Sequence, residues 1–170
     1  MAKGSCRVGE AAAVKDITFE RHNGRAYAIY DLHHQYSQSC SFEPLKTKES
    51  YRSIIIPPPW SMRLAEIVEQ RTEDQELYIC DNGTGRPMER KRITGEWLSY
   101  YRNGTIDLRY LTMIKLRNSW AAAILWKYGI ANQMVDKMMG HAAKNILGKH
   151  YDRPDKELFI ETVDRACFGN

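Results

Sequence analysis

Apolar and polar positions change rhythm along the 170-residue chain. In "DITFERHNGRAYAIYDLHHQYSQS", residues 16–39, they alternate around Asn23-Gly24. Both residues tolerate the left-handed backbone of a tight hairpin turn, so the stretch predicts paired strands. Residues 45–59, "LKTKESYRSIIIPPP", predict a polar turn and then a β-branched strand over Ile54, Ile55 and Ile56. Three prolines, which lack the amide hydrogen a sheet needs, stop it. From Trp60 the apolar positions Met62, Leu64, Ala65, Ile67 and Val68 fall at helical spacing towards Glu69 and Gln70. Residues 77–80 read as a short extended segment, and "DNGTGRP", 81–87, as a loop. Helical patterns follow over roughly 91–101, 115–128, 131–139, 144–150 and 155–167. Residues 6–15, "CRVGEAAAVK", add a helical turn or two near the start. The fold class predicted is mainly α (α+β): a helical bundle with a small antiparallel β-sheet near the N-terminus, in one domain over residues 1–170.

Composition narrows the picture without naming a chemistry. With 43% hydrophobic and 27% charged residues the chain reads as folded, not disordered. No apolar run approaches the roughly 20 residues that span a bilayer. The opening "MAKGSCRVGE" has neither signal-peptide nor transit-peptide character, so a cytoplasmic protein without a membrane partner is expected. Cys6, Cys40, Cys80 and Cys167 are scattered with no C-x-x-C, against both a zinc site and a disulfide scaffold. The net charge of +4 permits a polyanion partner but does not demand one. Local charge is denser. "RPMERKR" carries Arg86, Arg90, Lys91 and Arg92, and residues 102–117 add Arg102, Arg109, Lys115 and Arg117. Such runs are ordinarily solvated faces. No dinucleotide fingerprint, P-loop or H-E-x-x-H stands in the chain.

Several residues become informative only in combination. Arg7 precedes Glu10 by three, the spacing of an ordinary surface ion pair on a helix. Lys46 and Lys48 flank Thr47 in a polar turn. Arg117 stands near the start of an apolar helix, the end where cations are unfavourable. His141 follows Gly140, and Tyr151 comes ten residues later, just before Asp-Arg-Pro. Taken in order, "GSCRVGEAAAVKDI", "LKTKESYRSIIIPPP", "IKLRNSWAA" and "MGHAAKNILGKHY" resemble the catalytic domain of the tyrosine recombinases, the phage-integrase family. The resemblance runs from about residue 4 to 155.

The resemblance implies an integrase catalytic-core fold and a double-stranded DNA partner. It also implies cleavage and rejoining of strands for integration or excision of a mobile element, in a bacterial or phage-encoded protein. Tyr151 matches the nucleophile that forms a 3′-phosphotyrosyl bond and releases a 5′-hydroxyl. Arg7 and Arg117 match the guanidiniums that hold the non-bridging oxygens with forked donors. Lys46 matches the group that protonates the departing oxygen, His141 a hydrogen-bond donor to the phosphate, and Glu10 an acid that holds the site together. Lys48, Arg86, Arg90, Lys91, Arg92 and Lys115 are candidate DNA contacts. No metal and no nucleotide cofactor is implied, because the covalent bond conserves the energy for rejoining. The partners implied are other recombinase protomers in a synaptic complex, the chain alone being a monomer. Family members often pass the helix after the tyrosine to a neighbour, and Pro154 offers a break for it to leave. Because Arg7 stands so near the start, the chain is expected to lack the first helices and the N-terminal DNA-binding domains.

Two positions depart from the family pattern. Ile114 stands where a histidine or a basic substitute is usual, and Asn118 where a second histidine is common. Isoleucine cannot donate, accept or transfer a proton, and loss of one acid–base group costs about 10²–10⁴ in rate. Two rival readings follow: relaxation of DNA in the manner of a type IB topoisomerase, which uses similar residues, and a non-catalytic DNA-binding remnant.

Overall fold

A computed structural model describes residues 5–70, 78–141 and 156–169. The expected helix at 144–150, Tyr151 and Pro154 lie outside the described residues.

The chain opens with the short helix α1 (Val8–Ala12) and then forms the predicted hairpin, β1 (Thr18–His22) and β2 (Arg25–Leu32). Its turn places Asn23 at φ 48° and Gly24 at φ 74°, with His22 facing Arg25. These are the two left-handed positions that the sequence anticipates. A second, two-stranded sheet pairs β3 (His34–Tyr36) with β4 (Phe42–Pro44). The polar turn at 45–50 ends in a 3₁₀ turn, Lys48–Ser50, before β5 (Arg52–Ile56). β5 pairs antiparallel with β2, with Ile29 opposite Ile55, so the main sheet runs β1-β2-β5. Helices α2 (Trp60–Glu69), α3 (Arg90–Arg102), α4 (Met113–Ala122), α5 (Asn132–Met138) and α6 (Lys156–Phe168) follow. Among the described residues no helix is long and apolar enough to cross a membrane.

The isoleucine run of β5 has a simple cause: both faces of the sheet are covered. On one face Tyr27, Ile29 and Ile55 pack with Trp120, Ile124, Val135, Met138, Phe159, Ile160 and Val163, from α4 to α6. On the other, Tyr30, Leu32 and Ile54 meet Cys6, Val14 and Leu45 beside α1.

Three expectations need correction. Residues 79 and 80 turn instead of extending. The Asp81 and Asn82 side chains accept from the Gly83 and Thr84 amides, closing local turns that compete with a strand. The apolar helix over 115–128 starts earlier, where Thr112 caps the Lys115 amide, and after Ala122 it loosens into a π-helical turn, Ala123–Lys127. Finally, α6 packs on its own domain. Phe159, Ile160, Val163 and Ala166 are buried in the core and Asp164 is tied to the hairpin, so in a single chain the helix is ordered and docked on its own sheet.

Candidate active site

The site is organised by a carboxylate with no exposure to solvent, Glu10. Its oxygens receive the Arg7 backbone amide at 2.7 Å and Arg7 Nη1 at 2.6 Å, which fastens the first turn of α1. Arg52 Nη2 donates to Glu10 Oε2 at 2.9 Å, and Arg117 Nη1 stands 3.6 Å from the same oxygen. Burial alone opposes ionisation of Glu10. The charge of Arg52 and the hydrogen bonds from Arg7 and Arg52 outweigh it and hold the carboxyl below its usual range. Burial, then the charge of Arg7, pushes Arg117 down to about 10, still a cation at neutral pH. Burial pushes the neighbouring Cys6 thiol up to about 11, so it stays neutral.

The same guanidiniums close the C-terminal end of α5. Arg52 Nε donates to the Met138 carbonyl at 2.8 Å, and Arg117 Nη2 donates to the Met139 carbonyl. Cations suit the exposed carbonyls of a helix end. Arg52 Nη1 also donates to the Ser50 carbonyl at 2.9 Å, tying in the 3₁₀ turn. Gly140 follows at φ 67°, and a Cβ there would stand 2.6 Å from Arg52 Nη1. Glycine satisfies both the left-handed backbone and the close approach of the guanidinium. The next residue, His141, is then turned outward. Its amide donates to the Asp136 carbonyl at 2.9 Å, and its Nδ1 lies 3.0 Å from Asp136 Oδ1. Engagement of Nδ1 leaves Nε2 as the ring nitrogen for an incoming group.

Above the cluster lies a depression of about 320 Å³, lined by Arg7, Arg90, Ile114, Arg117, Asn118 and His141 with Val8 and Met139. Arg7, Glu10, Arg117 and His141, far apart in sequence, thus come together. Ile114 lies in the depression and is 68% exposed. Arg90 lines it too. Arg117 Nη1 is buried with no hydrogen-bond partner among the described residues, although a buried charged donor normally has one. The arrangement can hold a compact anion against surplus guanidinium charge.

Other candidates lie elsewhere. Lys46, exposed in the turn after β4, does not line the depression, and Lys48 is exposed on the 3₁₀ turn. Lys115 is exposed beside Ile114 but points its position away from the lining, as a helical step of about 100° requires. Arg86 is exposed in the loop before α3. Arg92 pairs with Glu96 at 3.0 Å on the surface of α3. Lys91 borders a second depression of about 430 Å³, which meets the first at Val8 and Arg90. Tyr151 lies outside the described residues.

Arg52 escaped the sequence reading. Its signal was a charge opening a strand that ends in three isoleucines. In a sheet covered on both faces such a charge, here opposite Leu32, needs a buried partner.

No protein-family model and no curated protein matches the sequence. A solved structure does: the Tn1549 transposon integrase in complex with circular-intermediate DNA, with a TM-score of 0.62 and 14% sequence identity. The match covers 96% of this chain and 56% of the integrase chain. The chain has the fold of that transposon integrase.

Proposed function

We propose that the chain is a tyrosine-recombinase catalytic domain that cleaves and rejoins double-stranded DNA through a phosphotyrosyl intermediate, for integration or excision of a mobile element. The observation that carries this reading is the depression in which Arg7, Arg117 and His141 meet above Glu10. The likeness to an integrase solved with DNA supports the choice of partner.

The Tyr151 oxygen attacks the scissile phosphorus, its proton passing to water, and the bond from phosphorus to the 5′-oxygen breaks. The departing oxygen takes a proton, for which Lys46 is the candidate donor. Rejoining runs the same steps backwards from a 5′-hydroxyl. Negative charge gathers on the non-bridging oxygens in the transition state. Arg7, Arg117 and His141 stabilise it with donors already fixed in place, so little reorganisation is needed as the charge develops. A phenol with a pKa near 10 gains from the same positive field. Strand exchange then requires further protomers on the DNA.

A second reading, DNA binding without cleavage, draws on Ile114, an exposed apolar side chain where the family places a donor. A pool of nicked duplexes of randomised sequence separates the two. Cleavage a few nucleotides 5′ of a nick in the same strand releases the short piece between them and traps the protein covalently, and the adduct is read after denaturation. Adducts that vanish in Tyr151→Phe at unchanged melting temperature support the catalytic reading. Adducts that persist in that variant move the nucleophile elsewhere, and DNA binding without adducts favours the second reading.

A further inference from the structure

We infer that Arg90 is a third phosphate-holding guanidinium of this site, occupying the role for which Ile114 has no donor; the inference rests on the strand-cleavage reading above. Arg90 is the first residue of α3 and lines the depression together with Arg7, Ile114, Arg117 and His141. The close approach is built into α1. The Arg90 Cδ and Nε atoms lie 3.5 and 3.6 Å from the point where a Cβ on Gly9 would stand. A side chain at residue 9 would fill the space through which the arginine stem reaches the depression. It would also meet the Tyr36 carbonyl at 2.7 Å.

The arginines of the site are not equally committed. Arg7 is bonded to Glu10, and Arg117 to the Met139 carbonyl. The Arg90 guanidinium makes no hydrogen bond or ion pair among the described residues. It also stands with Lys91 and Arg92 at the positive end of a 13-residue helix, where cations are unfavourable without an anion nearby. The acidic group next to it in sequence, Glu89, lines the second depression, which Arg90 and Lys91 also border, and makes no ion pair with Arg90. Arg117, whose buried Nη1 stands 3.6 Å from Glu10 Oε2, lines the same depression beside Arg90.

The chemistry sets what Arg90 can do. A guanidinium stays charged and presents forked donors that fit two oxygens of one phosphate. It cannot serve as a proton relay at neutral pH. Arg90 therefore restores the hydrogen bond and the charge that a histidine at residue 114 would bring to the phosphate, but no proton transfer.

Three suicide duplexes, made on a sequence recovered from the randomised pool, test the assignment. They carry an ordinary phosphate, a neutral methylphosphonate at the scissile linkage, or a methylphosphonate at the neighbouring linkage. At saturating DNA, Arg90→Ala is expected to slow adduct formation about 10²-fold on ordinary DNA, and Arg90→Lys to recover little of it. The deficit should shrink on the scissile methylphosphonate, whose transition state carries one negative charge fewer to stabilise. Ile114→His in the Arg90→Ala background should recover part of the rate. An unchanged adduct rate in Arg90→Ala, with weaker DNA binding only, overturns the assignment. So does a deficit that shrinks only with the neighbouring methylphosphonate, because Arg90 would then contact the adjacent backbone. Adducts formed equally by both proteins sink this inference and leave the strand-cleavage reading standing. Absence of adducts from the unaltered chain overturns both.

Discussion

Two buried carboxylates, Glu10 and Asp164, tie distant parts of the chain together, and they do so with different charge. Asp164 on α6 accepts from the Tyr27 hydroxyl, from Asn23 Nδ2 at 3.0 Å and from Arg25 Nη1 at 3.2 Å. One negative charge meets one cation and two neutral donors, so the account balances within the protein. Glu10 instead faces the guanidiniums of Arg7, Arg52 and Arg117. Arg52 and the Glu10 charge offset each other deep in the fold, and Arg7 and Arg117 remain as surplus at the floor of the depression. The balanced cluster fastens the β1–β2 hairpin to α6 and needs nothing more. Among the described residues, the unbalanced one leaves cationic groups lining an open depression. Surplus charge, more than burial or perturbed titration, distinguishes a site from a structural joint: both carboxyls are held below their usual range, yet only one borders a cationic depression.

The largest effect is expected from removing residues 156–170. The deletion takes away Asp164 together with the buried Phe159, Ile160 and Val163. Each of these apolar side chains contributes about 1.5–3 kcal/mol by burial, against a total domain stability of about 5–15 kcal/mol. Loss of the cooperative melting transition is expected. A transition unchanged from the full chain would mean that α6 and the Asp164 cluster are accessory.

Next come the carboxylates themselves. Glu10→Gln leaves Arg52, with a side chain only 2% exposed, facing a neutral amide. Breaking a buried pair in this way costs about 3–5 kcal/mol. Asp164→Ala leaves the fully buried Tyr27 hydroxyl without its acceptor, at about 1–3 kcal/mol. Chemical denaturation of the two variants ranks them, and a costlier Asp164→Ala would overturn the claim that Glu10 carries the heavier charge load. Acid gives the same comparison without mutation. Both carboxyls have depressed folded-state values, so the unfolded chain binds more protons as pH falls below about 5. Their contribution is fully present above the unfolded values near 4 and is lost as pH drops through the folded ones. Melting temperature followed from pH 6 downwards should fall, with a shallower slope in each variant.

The hairpin and β5 were legible in the sequence because their causes are local: Asn23-Gly24 takes the turn backbone whatever surrounds it, and three prolines stop a strand anywhere. Arg7, Arg117 and His141 were legible through the order of their motifs. Arg52 was not, because its partner Glu10 lies 42 residues away and no local pattern reports a pair made across the fold. Arg90 was legible as a basic residue but not as part of the depression, since that depends on Gly9 admitting its stem. The apolar face of α6 announced that the helix docks, but an amphipathic pattern does not say on which molecule. Lys46 shows a similar limit: a turn position sets its exposure, while its direction depends on how the turn sits on the sheet.

The smallest expected effect is the most direct measure of surplus charge. Inorganic phosphate should raise the melting temperature of the unaltered chain, since a ligand that binds only the folded state stabilises it by mass action. At about ten times its dissociation constant the gain is about 1.4 kcal/mol. Asp164→Ala should lower the starting temperature yet keep the phosphate increment, because its cluster is already neutralised. Arg7→Ala should lose much of the increment with a smaller change in the starting temperature than Glu10→Gln, since the Arg7 side chain is half exposed and Arg52 still pairs with the buried Glu10. Sodium chloride at matched ionic strength separates this from general screening, which acts on all exposed pairs alike. An equal increment in all three proteins would mean that phosphate is taken up elsewhere, and that the surplus at Glu10 is a local imbalance the fold tolerates without binding anything.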